Sequence, residues 1–114
     1  MYISFDKPAY CIKIYIIFMN LIINMEEEKI LNTLGYVMAS SYRLSVIKYI
    51  GTSVRIPSDI AKKIGVRTNH ISNVLSDLKK NGLVICLNEN AHKGRLYKNT
   101  ELALGVLKYI NDMD

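Results

Sequence analysis

Between Ile60 and Val84 the sequence reads IAKKIGVRTNHISNVLSDLKKNGLV, two short helical patterns that meet at Gly65. No other stretch restricts the chain as tightly. Ile60, Ala61 and Ile64 give the first helix its apolar face. Ile71, Val74, Leu75 and Leu78 recur at helical spacing in the second, which runs to an Asn81-Gly82 stop. A small residue at Ala61 lets the two helices cross closely, and Gly65 can take the positive φ that a tight interhelical turn needs. Ile71 plugs the angle between them, and Val66 and Val74 complete the apolar wedge. With the aliphatic positions turned inward, the step of about 100° per residue leaves Asn69, Ser72, Asn73 and Ser76 outward, Thr68 at the entry and His70 on a flank. An ordinary solvated face would favour Lys, Glu and Gln, which are better helix formers.

The flanks carry their own signals. Glu26, Glu27 and Glu28 suit the positive end of a helix dipole, and Ile30, Leu31, Leu34, Val37 and Met38 follow as one stripe, so a first helix is predicted from Met25. Ser40 or Ser41 can cap a second helix whose inward face is Leu44, Ile47 and Ile50 and whose stop is Gly51. The segment TSVRI predicts a small edge strand, and Pro57 fits the first turn of the next helix, where a missing N–H is no loss. After Gly82 the period changes: LVICL and RLYKN read as two strands joined by the seven-residue tip NENAHKG. Thr100 can cap a last helix with the stripe Leu102, Leu107 and Ile110 and with Val106 beside it.

A chain of 114 residues is a single-domain length, divided here into an extension over 1–24 and a domain over 25–114. The extension has two readings: an over-called start, with the working protein beginning at Met25, or a real added element that covers an apolar face. Its apolar run, Tyr10 to Ile23, is interrupted by Lys13 and Asn20 and falls short of the roughly 20 residues a spanning helix needs. No membrane span is therefore expected, and a membrane tether is the weakest reading of this segment.

The net charge is +5, but its distribution says more: from Arg43 to Lys98 there are eleven Lys or Arg and three acids, a local 11 − 3 = +8. That balance fits an anionic partner. Cys11 and Cys86 have no CxxC or CxC spacing, so neither a disulfide framework nor a thiolate metal site is indicated, and Cys86 reads as packing in a buried strand. His70 and His92 lack Cys or carboxylate neighbours at ligand spacing, so no metal or cofactor is expected. A glycine loop that would cradle phosphate and a nucleophile–base pair are both missing from the sequence, which argues against an enzyme.

The order helix, helix, strand, helix, helix, hairpin, helix is the plan of a winged helix-turn-helix domain, mainly α with a small β-hairpin. Within it YVMASSYRLSVIKYI, IPSDIAKKIGV, ISNVLSDLKKNGLV and GRLYKNTE, spanning Tyr36 to Ile110, resemble the small winged-helix transcription regulators of the ArsR and MarR kind, in particular archaeal members. The resemblance covers about two-thirds of the chain and none of 1–24. It implies a dimeric DNA-binding fold with a recognition helix, about 67–80, in the major groove. A basic wing, about 88–95, would touch the flanking backbone or minor groove, and the terminal helices would pair the subunits. The cysteine-rich metal-sensing motif of ArsR-type repressors has no counterpart on helix two, so metal sensing is not carried over.

Chemistry fits that implication. Asn69 and Asn73 can bond adenine bidentately, Thr68, Ser72 and Ser76 can reach either base-pair partner, and Arg67 can bind guanine or phosphate. His70 borders this set. His92, Lys93 and Arg95 at the hairpin tip are expected on phosphate or in the minor groove. Lys62, Lys63, Lys79 and Lys80 read as a solvated face, and Tyr42, Tyr49, Tyr97 and Tyr109 as core or interface residues. The expectation is a cytoplasmic, homodimeric regulator that binds double-stranded DNA sequence-specifically, with no small-molecule ligand. The alternative is a winged-helix protein-interaction module of the transcription machinery.

Overall fold

The computed structural model describes residues 9–113, with side chains from Ile12 onward. Its elements are α1 (Ala9–Met38), α2 (Ser41–Ile50), β1 (Val54–Arg55), α3 (Pro57–Ile64), α4 (Thr68–Lys80), β2 (Val84–Cys86), β3 (Tyr97–Asn99) and α5 (Glu101–Met113). Local chemistry places most of these boundaries. Ser40 is extended, with φ −138° and ψ 122°, and its hydroxyl accepts from the Arg43 N–H at 3.4 Å, while Gly51 ends α2 at φ 52°. Pro57 opens α3, and Gly65 closes it in the left-handed region at φ 87° and ψ 34°. The Gly65 and Val66 N–H groups both donate to the Ala61 carbonyl, at 2.8 and 3.0 Å, so the turn leaves neither donor unpaired.

The core joins α2, α3, α4, α5 and the inner face of the sheet. Val46, Ile47, Ile60, Ile71, Leu75, Leu78, Leu83 and Val106 are fully buried in it. α4 has no side-chain cap at its N-terminus, where Arg67 is the extended boundary residue. Its helical state therefore rests on burying Ile71, Leu75 and Leu78, not on propensity. β3 is the central strand of an antiparallel sheet of order β1-β3-β2, pairing Val54 with Lys98 on one side and Ile85 with Lys98 on the other. Asn99 of β3 points inward with 3% exposure, and its Nδ2 donates to the Ile47 and Gly51 carbonyls at 2.9 Å each. That side chain stitches the sheet to the end of α2.

Three expectations need correction. The first helix does not begin at Met25: α1 is continuous from Ala9, so Glu26 to Glu28 are interior and no acid lies in its first turn. Between Ala9 and Leu34 there is neither Gly nor Pro to stop propagation, and exposed acids near a helix end are worth only about 0.3–1 kcal/mol each. Residues 1–8 of the expected extension, like the Cys11 side chain, lie outside what is described.

In α5 the buried stripe is Ala103, Val106 and Ile110, with Leu102 and Leu107 half-buried. α5 packs against both α1 and α2, and a Cβ on Gly105 would stand 3.3 Å from Ile30 Cδ1, so small residues mark its closest approaches. Cys86, expected in a buried strand, is half-buried: it shares the inward face of Val84 but ends β2, where its thiol donates to Asn88 Oδ1 of the hairpin tip at 3.6 Å. Of the four tyrosines singled out in the sequence, Tyr97 is buried, Arg55 stacks 4.3 Å over the Tyr49 ring, and the Tyr109 hydroxyl donates to Glu27 at 2.9 Å. That last bond holds the Tyr109 phenol above its ordinary pKa, with some desolvation adding to it.

Candidate functional site

With Ile71, Leu75 and Leu78 hidden, α4 presents three strips to the outside. Asn69 and Asn73 form the crest opposite the core, exposed and without a side-chain hydrogen bond among the described residues. Thr68, Ser72, Ser76 and Lys79 form the flank facing the hairpin. His70 lies on the other flank, where its ring meets Tyr42 of α2 edge-on at 4.6 Å between centroids. Tyr42, read from sequence as a core or interface residue, is exposed and stacks on a member of the candidate site.

The hairpin flank closes a groove. This groove is lined by Thr68, Ser72, Ser76 and Lys79 of α4 and by His92, Lys93 and Arg95 of the hairpin, with Pro57 and Ser58 at the start of α3 completing the lining. Six of the ten expected residues thus converge: Thr68, Ser72, Ser76, His92, Lys93 and Arg95. Asn69, Asn73, His70 and Arg67 do not line the groove, and Arg67 stands exposed at the entry to α4.

The β2–β3 connection is stiffened from inside. The Leu87 N–H donates to the Leu96 carbonyl at 2.8 Å, which extends the ladder and leaves 88–95 as the tip. Asn88 spans that tip: its Oδ1 accepts from the Leu96 N–H at 2.7 Å and its Nδ2 donates to the Gly94 carbonyl at 3.1 Å. Arg95 spends Nε on the Ala91 carbonyl, at 2.9 Å, and Nη2 on the Glu89 carbonyl, at 3.2 Å. Much of its donor fork therefore shapes the loop.

The tip is also tied to α4 by an ion pair between Lys79 and Glu89. The bond from Lys79 holds the Glu89 carboxyl below its ordinary pKa and raises that of the ammonium. A lowered carboxyl pKa means the tie persists at neutral pH and is lost only as pH falls through that lowered value.

No protein-family model and no curated protein matches the sequence. Solved structures do match. NolR from Sinorhizobium fredii superposes with a TM-score of 0.62 at 20% identity, over 79% of this chain and 89% of its own. Mb0332 from Mycobacterium bovis, described as a homodimeric winged helix-turn-helix DNA-binding domain and a possible ArsR-family transcriptional regulator, aligns with 96% of this chain and 88% of its own. Its TM-score is 0.55 at 16% identity. The chain has the winged-helix fold. Lactococcus lactis ZitR aligns with 64% of it at TM-score 0.57 and 19% identity, and the chain spans about half, 51%, of ZitR's length.

In winged-helix terms, α3 and α4 are the helix-turn-helix and 88–95 is the wing tip. Lys79 and Ser58 also line the groove and were not among the expected site residues. Lys79 had a usable signal, since it follows Thr68, Ser72 and Ser76 at helical spacing on one flank. Ser58 had none, because only the packing of α3 against α4 brings it to the groove.

Proposed function

We propose that the chain is a sequence-specific, double-stranded DNA-binding transcriptional regulator of the cytoplasm, with α4 as the recognition helix and 88–95 as a wing on the flanking backbone or minor groove. One observation carries the reading: the outer face of α4 is a crest of free amides, Asn69 and Asn73, beside a hydroxyl-lined groove whose lining also includes Lys93 and Arg95. Short amides and hydroxyls read base edges, and the cations beside them meet phosphate. The likeness to Mb0332, a DNA-binding domain by its description, supports the same reading.

Selection of bound fragments from a random duplex library tests it. A recovered consensus and a steep loss of affinity with salt, on the order of 10³ between 50 and 200 mM for about six phosphate contacts, are the expected results. Salt-insensitive binding with no consensus would favour a protein-interaction module instead.

The regulator is further proposed to work as a homodimer. Every residue from Ile12 to Met25 is exposed, and only Lys13, Asn20 and Asn24 among the large or polar positions before Met25 break the apolar surface. Those three fall on one narrow strip of the helix, so the remaining circumference is apolar. An exposed apolar surface of this extent marks an association site. Among the described residues no helix is long and apolar enough to cross a membrane, and the Mb0332 domain is described as homodimeric, so a second copy is the proposed occupant. Sedimentation equilibrium should give two chains for the protein and one for Ile16→Glu/Ile23→Glu. A single chain at micromolar concentration without any substitution would sink the proposal.

A further inference from the structure

We propose that Glu89 acts as a built-in competitor for duplex phosphate: in the free protein it holds the Lys79 ammonium against the wing, and it releases that ammonium when a phosphate backbone enters the groove between α4 and the wing. This deepens the DNA-binding reading and rests on it.

Four observations converge. Lys79 lines the groove on the same flank as Thr68, Ser72 and Ser76, where a backbone following the wing would pass. It is paired with Glu89, which sits in the wing tip. Between Asp77 and Glu101 the sequence holds no other acid, so Glu89 is the single carboxylate this segment places beside the groove. Of the other two wing cations, Arg95 is bonded to the Ala91 and Glu89 carbonyls, whereas Lys93 makes no side-chain bond among the described residues. The unbound groove thus offers one uncommitted ammonium and one that is already neutralised.

The pair is suited to exchange. Its side chains are 43% and 55% exposed, so water and salt reach both, and an ion pair in that setting is weak. An ammonium is a compact charge with three rotatable donors, which can pass from a carboxylate to a phosphate oxygen without a change of backbone. A locked bidentate arginine would not move so freely. Binding any duplex then costs the breaking of this pair, and the freed carboxylate takes up a cation from solution, which offsets one of the counterions that DNA releases. Glu89 therefore lowers affinity for duplex of every sequence and flattens its salt dependence.

A cycle of four proteins tests this: the unaltered chain, Glu89→Gln, Lys79→Gln and the double variant, titrated with a random-sequence duplex from 50 to 200 mM salt after thermal melts confirm that all are folded. Glu89→Gln should tighten binding about two- to fivefold at 50 mM, the scale of an exposed ion pair. It should also steepen the slope of log affinity against log salt by about 0.9. In the Lys79→Gln background the same change should alter affinity by less than about twofold. An equal gain in both backgrounds would show that Glu89 acts only through the general field, and a loss on Glu89→Gln would show that it merely props the wing; either overturns the proposal alone. If none of the four binds duplex, the DNA-binding reading falls with it.

Discussion

Asn99→Ala is expected to destabilise the protein by about 2–3 kcal/mol, because it removes two hydrogen bonds and strands the Gly51 carbonyl beside the core, while the Ile47 carbonyl keeps only its bond from the Gly51 N–H. In a domain of this size that loss lowers the thermal midpoint by roughly 10–15 °C. The acceptors are the Ile47 and Gly51 carbonyls, each 2.9 Å from Asn99 Nδ2, at the place where α2 ends and the sheet meets it. Gly51 bends away there at φ 52°, so its carbonyl has no helical successor to serve it.

Two companion variants sharpen the test. Asn99→Leu fills the space but still removes both bonds and leaves the Gly51 carbonyl unpaired, so it should lose nearly as much. Asn99→Asp sets a carboxylate against two carbonyl oxygens: burial raises its folded pKa, and stability should fall as pH rises through the ordinary carboxylate range. Melting curves that stay within 1 kcal/mol of the parent for all three would mean that Asn99 does not hold the sheet to α2.

On a selected site, Asn69→Ala and Asn73→Ala should each cost about 1–3 kcal/mol of binding and relax preference at one base pair. Neither residue lines the groove, and neither side chain is engaged elsewhere among the described residues, so on the proposed reading truncation should remove base contacts without disturbing packing. Three controls separate this from general damage. Affinity for random duplex should hold, since no phosphate contact is lost. Thermal stability should hold or rise slightly, since alanine is the better helix former on an exposed face. Lys93→Ala should weaken all sequences alike and flatten the salt slope by about one unit. Repeating the fragment selection with the double Asn variant decides the matter, and an unchanged consensus would mean that the crest of α4 does not read bases.

Much of the fold is legible locally. Ser40 announces the start of α2 by having a hydroxyl where an orphan N–H needs one, Pro57 starts α3 where an N–H is expendable, and Gly65 sits where only a residue without Cβ is relaxed. The beginning of α1 is illegible for the converse reason. Acidic residues that favour a helix start do not forbid a helix from passing through them, and nothing upstream stops it before Ala9. Leu102 was the natural choice for the buried face of α5 by size, yet Ala103 is the residue fully buried there, on a helix that packs against both α1 and α2.

The hidden face of α4, and with it the outward crest of Asn69 and Asn73, was decided by the sequence alone, since a period of 3.6 is a property of the residues within one helix. Which polar residues share a groove was decided only by tertiary structure. Thr68, Ser72 and Ser76 meet Ser58, Lys93 and Arg95 across long stretches of chain, and the pairing of Lys79 with Glu89 arises from the angle at which the hairpin leaves the core. Spacing along a chain carries no record of that angle, because it is set by how buried side chains from separate elements fill a common space.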